Sequence, residues 1–131
     1  MRIAKDDVPV KIAALGAIAR QQPGFGDASD CGTLSAEFFS LATGVDITPL
    51  LQGLEEDLCQ APHWGFLATG ALMVTYRDGS TEQVSGGDLF YWPPGHTVRV
   101  LENAEVLMFS PEQAHSAVLD HMHARLRGDA A

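Results

Sequence analysis

The chain has 131 residues, of which 46% are hydrophobic and 19% charged, the size and composition of one globular domain with its own core rather than a disordered segment. Its 8 basic and 17 acidic side chains leave a net charge of −9, which argues against nucleic acid and against an anionic membrane surface as partners. No secretory signal is visible, no apolar stretch approaches the ~20 residues that span a bilayer, and a core of this size needs no disulfide between Cys31 and Cys59. A cytoplasmic location with reduced thiols is the expectation.

Residues 1–34 read as an N-terminal arm with two open conformations. Ile12, Leu15 and Ala19 have helical spacing, whereas Val8, Val10 and Ile12 alternate as in a strand. Gln22 to Asp27 is loop on its Pro and Gly content. From Leu34 onward the pattern is short strands cut by turns. Phe38 to Thr43 is apolar and stopped by Gly44, and Pro49 demotes Val45 to Leu51 to an edge or bulge. Phe66 to Tyr76 is a long apolar run that Gly70 is expected to bend. The Asp78-Gly79 pair predicts a hairpin joining Ala71–Tyr76 to Thr81–Val84. Leu89–Trp92, Val98–Leu101 and Val106–Phe109 continue a series that suggests a sandwich or barrel.

The end of the chain changes character. Ser110 is an N-cap candidate, Pro111 suits the first helical position, and Gln113 follows three after the cap. Ala114, Val118, Met122 and Leu126 then share one face, with Gly128 as a stop. This predicts a helix over 111–127, packed on the barrel or on a second subunit.

Three side chains carry candidate chemistry. Cys59 and His63 are four apart, so in extended chain they face the same side. A thiolate and a neutral imidazole are good zinc ligands and acceptable ones for iron, nickel or copper. A buried thiol beside a histidine bonded to backbone explains the same pair without metal. His96 follows Pro93-Pro94-Gly95, a rigid turn suited to aiming a side chain. If it joins the other two, three protein ligands with an open position describe a catalytic rather than a structural metal site.

The remaining histidines, His115, His121 and His123, lack the i, i+4 spacing of a helical metal pair and read as surface or helix-end residues. Trp64, Phe66 and Tyr91 flank both candidate motifs; core packing accounts for them, and they are equally candidates for the wall of an apolar pocket. Gly24-Phe25-Gly26 lacks a third glycine, and neither a Gly-Lys-Ser/Thr triplet nor a Gly-x-Ser-x-Gly elbow occurs. Nucleotide-dependent and serine-hydrolase chemistry is therefore not indicated.

The two stretches Gly53–Gly70 and Gly87–His96 resemble the paired motifs of the cupin superfamily, small jelly-roll barrels. Gly87, five residues, then Pro93-Pro94-Gly95 matches the second motif, and the Asp78-Gly79 hairpin lies where a cupin joins its motifs. The resemblance covers about residues 36–110. Counted back from Gly70, the family's glutamate position falls on His63 and a histidine position on Cys59. Counted from Gly53, Cys59 takes the other histidine position. In the second motif the histidine position falls on Val98, and His96 stands two residues early with the same strand parity. Loss of the carboxylate puts iron-oxygenase chemistry of the usual family type in doubt.

The resulting expectation is an all-β, cupin-type jelly-roll β-barrel with one C-terminal α-helix, in a single domain over residues 1–131 with the barrel at 35–110. A divalent metal, zinc before iron or nickel, is assigned to Cys59, His63 and His96. The expected partner is a small-molecule ligand or substrate, and the resemblance implies a homodimer. A metal-free binding or sensor module is the alternative.

Overall fold

A computed structural model describes residues 1–28 and 30–128; Ser29 and the last three positions of the expected domain lie outside the described residues. The strands are β1 (Val10–Ala14), β2 (Ala17–Gln22), β3 (Asp27–Ala28), β4 (Gly32–Leu41), β5 (His63–Tyr76), β6 (Thr81–Ser85), β7 (Leu89–Trp92) and β8 (His96–Pro111). One helical turn, α1 (Thr48–Leu51), and one longer helix, α2 (Glu112–Leu126), complete the order. All strand pairings are antiparallel, in the order β1-β2-β4-β8-β5-β6, with β3 on β4 and β7 on β5.

The two long strands organise the rest. β5 pairs with β8 from Trp64↔Phe109 to Tyr76↔His96, while its first half carries β7 and its second half β6. Such a strand must bend, and it does so at Gly70, where φ is +92° and the register with β8 slips on both sides. A Cβ at Gly70 would stand 2.1 Å from the Asn103 carbonyl oxygen, so only glycine permits this approach. The same bulge explains a departure from expectation. Val98–Leu101 and Val106–Phe109 are one strand, because Glu102, opposite Ala71, and Glu105, opposite Thr69, carry the ladder past the bend instead of turning.

The Asp78-Gly79 hairpin forms as predicted, with Thr75 opposite Thr81 and φ +85° at Gly79. Two other segments differ from the sequence reading. Residues 1–34 are no separate arm: β1 and β2 form a hairpin on β4, so the sheet begins at Val10 rather than at 35. The segment is extended rather than helical, but Val8, Val10 and Ile12 do not share one face. Val10 is 49% exposed across a bulge between Val10 and Ile12, while Ile12 and Ala19, directly paired, bury their side chains under α2. Val45–Leu51 is not a strand either; Pro49 lies in the first turn of α1, where its missing N–H costs nothing.

Two apolar clusters result. The barrel interior packs Leu67, Leu72, Val74, Val100, Val106 and Met108 among others. The second joins Ile12 and Ala19 to Leu51, Val118, Leu119 and Met122, and also takes in Cys59. Thus α2 docks on its own barrel, against α1, β1, β4 and β8. Its buried face is His115, Val118, Leu119 and Met122, rotated from the predicted stripe so that Ala114 is exposed. No helix among the described residues is long and apolar enough to cross a membrane.

Candidate metal centre

Backbone bonds stitch the two motifs together before any side chain is considered. Glu56 and Asp57 adopt positive φ in a short 3-10 turn, and the chain leaves it extended into Cys59. The Cys59 N–H donates to the His96 carbonyl at 2.9 Å, and the Gly95 N–H donates to the Cys59 carbonyl at 2.8 Å. Gly95 holds φ +90° at the end of the Pro-Pro-Gly turn, which lets β8 start at His96 directly opposite Cys59. His63 opens β5, paired with Trp92. Cys59, His63 and His96 are therefore brought together, each no more than 2% exposed. Their ligand atoms all lie within 4.8 Å of one another.

Hydrogen bonds assign the histidine tautomers. His96 Nδ1 is 2.8 Å from the Pro93 carbonyl oxygen, which can only accept, so Nδ1 carries the proton and Nε2 keeps a lone pair. Ser110 donates its hydroxyl to Glu37 Oε1 at 2.5 Å. It must then accept from His63 Nδ1 at 2.6 Å, which again frees Nε2. His115 Nδ1 donates to Glu37 Oε2 at 2.5 Å. Gln21 and Ser35 also donate to Glu37, which is fully buried. Glu37 thus anchors a buried polar network that orients His63 through Ser110 and His115 directly.

Burial sets the protonation of the cluster. Desolvation first, then the neighbouring His115 and His96, hold the His63 imidazole well below its usual range and neutral. Burial likewise lowers His96 to about 4, against the raising effect of the Pro93 carbonyl. The Cys59 thiol is pushed up to about 12, chiefly by desolvation. A thiol in this setting is not a free thiolate nucleophile; a bound cation is what would deprotonate it.

The donor set fits such a cation. Tetrahedral zinc at its usual bond lengths separates a sulfur and a nitrogen ligand by about 3.6 Å, and Cys59 Sγ lies 3.6 Å from His63 Nε2. Both imidazoles present Nε2 with Nδ1 tied to an acceptor, the outer arrangement that metal-bound histidines need.

Two residues of this centre were missed by the sequence reading. The spacing reads His115 as a surface or helix-end residue, yet it is 3% exposed and 4.2 Å, centroid to centroid, from the His63 ring. It sits three and seven residues before Val118 and Met122, which is a buried stripe read one position along. Glu37 lies at the inward parity of Ser35, Phe39 and Leu41, an acid on the apolar face of a strand. Glu37, His63 and His115 form a second buried group with ligand atoms within 4.8 Å. Ser110 caps nothing; α2 has no side-chain cap, because the hydroxyl is engaged with Glu37 and His63. His121 and His123 do stay outside, His121 donating to the Gln52 carbonyl.

A cavity of about 340 Å³ opens beside the centre, lined by Cys59, His63, His96 and His115 together with apolar side chains such as Phe39, Leu72 and Met122. The candidate pocket aromatics are not among its walls. Trp64, Phe66 and Tyr91 are 48%, 37% and 49% exposed, on the outer face of β5 and β7. Period-two alternation is the reason: the neighbours His63, Leu67 and Trp92 point inward, and Trp92 is the aromatic of these strands that lines the cavity.

No family model matches the chain, and no curated protein sequence matches it. Solved structures do resemble it. Oxalate decarboxylase of Bacillus subtilis, described for its Mn(II) centres, aligns over 84% of this chain and 29% of its own, at 23% identity and a TM-score of 0.60. The chain therefore spans less than a third of that protein. Ectoine synthase from P. lautus aligns over 86% of this chain and 77% of its own, with 12% identity and a TM-score of 0.58. An RmlC-like cupin from Shewanella frigidimarina aligns over 83% and 88%, with 16% identity and a TM-score of 0.54. Together with the antiparallel barrel and its C-terminal helix, these likenesses show that the chain has the cupin fold.

Proposed function

We propose that this protein is a cupin that binds a divalent metal through Cys59, His63 and His96 and holds a small molecule in the adjoining cavity. The carrying observation is the convergence of three buried soft or borderline ligands with both histidine Nε2 atoms free. Zinc suits one thiolate and two imidazoles best, with iron or nickel as alternatives. Such a cation would polarise a bound oxygen or sulfur donor, or acidify a water. The chain's own residues do the rest: Ser110 and Glu37 orient His63, Pro93 orients His96, and the apolar walls exclude bulk water.

Metal analysis of untagged protein tests this reading. It predicts near-stoichiometric zinc, iron or nickel, lost in both Cys59→Ala and His63→Ala. Metal-free protein whose variants are just as stable rejects it.

One observation favours the metal-free binding module as a second reading. Neutral imidazoles and a thiol at about 12 form an uncharged cluster in which Cys59 and His63 already contact each other. For assembly, the exposed strip of Trp64, Phe66, Leu89 and Tyr91 supports a homodimer. Sedimentation of a monomer at micromolar concentration would remove that part.

A further inference from the structure

We infer that the cavity takes a largely apolar organic molecule about two fused rings in size, with no polar or charged group beyond one oxygen or sulfur donor directed at the Cys59–His63–His96 cluster. The inference rests on the metal-binding reading for the role of that donor, but the shape and apolar lining of the cavity stand apart from it.

Charge comes first. None of the described residues lining the cavity is a lysine or arginine. Its one carboxylate, Asp46, is on the exposed rim with Leu15, Gly44 and Pro49, where it already accepts from the Thr48 N–H. The lining offers no cationic side chain, and the divalent metal of the proposed site, already bearing the Cys59 thiolate, has charge for one donor atom and not for a second anionic group. Such a group would enter a protein of net charge −9 and shed its hydration against hydrocarbon. A small dicarboxylate is thereby disfavoured, and so is a phosphorylated sugar.

Size and chemistry follow. An apolar cavity of about 150 Å³ accepts benzene, so about 340 Å³ suits roughly two such rings. Beyond Asp46, the ionisable groups facing the space are Cys59, His63, His96 and His115, all buried. The rest of the wall is overwhelmingly apolar, with Ile12, Phe39, Leu41, Val100 and Leu119 representative. A ligand with a single polar end matches that asymmetry, since a second polar group would lie against hydrocarbon unpaired.

The probes are 2-naphthol, naphthalene, 2-naphthoate and oxalate, titrated into zinc-loaded protein by calorimetry. A parallel titration follows Trp92 fluorescence in Trp64→Phe, since the other tryptophan is on the outer face. Expected are saturable binding of 2-naphthol and naphthalene, with 2-naphthol at least tenfold tighter, and, in metal-free Cys59→Ala, 2-naphthoate at least tenfold weaker than naphthalene. Oxalate should not bind in the millimolar range. Ala19→Phe, which fills the cavity wall, should abolish naphthalene binding. Millimolar or tighter binding of oxalate, 2-naphthoate bound by metal-free Cys59→Ala as tightly as naphthalene, or no binding of either neutral probe to the wild type overturns the inference. The two readings separate in Cys59→Ala. Naphthalene binding should persist there while the preference for 2-naphthol disappears. A wild type that holds no zinc but still takes naphthalene sinks the metal reading alone.

Discussion

The Ser110 hydroxyl accepts from Nδ1 of His63 at 2.6 Å, across 47 positions of sequence, rather than capping the helix that begins two residues later. It passes the bond on to Glu37 Oε1. Removing it leaves a buried imidazole N–H and a buried carboxylate oxygen each short of a partner. Ser110→Ala should therefore cost about 1–3 kcal/mol of stability. It should also weaken zinc affinity by about 10–100-fold, measured by chelator competition. Unchanged affinity with reduced stability would show that the contact is only structural.

Acid should destabilise the metal-free protein through its histidines. His63 and His96 have folded values below the unfolded value near 6.5. Below that pH the unfolded chain takes up protons that the fold refuses, so stability is full above about 6.5 and is lost as pH falls toward the folded values. For His96 the gap from 6.5 to about 4 is worth on the order of 3 kcal/mol. Urea unfolding at pH 7.5 and pH 5 checks the sign, and equal midpoints at the two values would refute it. His96→Asn should flatten the dependence.

Gly70→Ala should be among the most damaging surface-to-core changes in the chain. The added Cβ would overlap the Asn103 carbonyl oxygen at 2.1 Å, at a φ of +92° that alanine avoids. Backbone rather than a flexible side chain blocks it, so the loss should exceed about 3 kcal/mol. A thermal midpoint within a few degrees of wild type would contradict the bend described for β5.

Leu15 presents the opposite case. It holds φ +55° beside Gly16 in the two-residue turn between β1 and β2, and is 78% exposed at the cavity rim. A left-handed leucine costs roughly 1–2 kcal/mol, and asparagine is favoured in this turn. Leu15→Asn should raise stability by about 1 kcal/mol and weaken naphthalene binding. A lower melting temperature would mean that rim packing outweighs the backbone strain.

Local signals were legible where they concern neighbours in sequence. The Asp78-Gly79 hairpin, the bend at Gly70 and the Gly87…Pro93-Pro94-Gly95 motif all depend on backbone preferences of a few adjacent residues, and each was readable there. Reading Trp64, Phe66 and Tyr91 as pocket walls failed on parity, which becomes certain only when one inward residue of each strand is known.

By itself the sequence determined that Cys59, His63 and His96 were the side chains to watch, because a soft donor pair and a rigid turn are local facts. Only the tertiary structure decided that they meet, through the backbone bonds between Cys59 and His96. It also brought Glu37 from β4 and His115 from α2 behind them, 78 positions apart along the chain. Nothing in the spacing of those two residues announces the contact. It exists because helix and sheet bury complementary faces, and a buried carboxylate must find its donors wherever that packing has placed them.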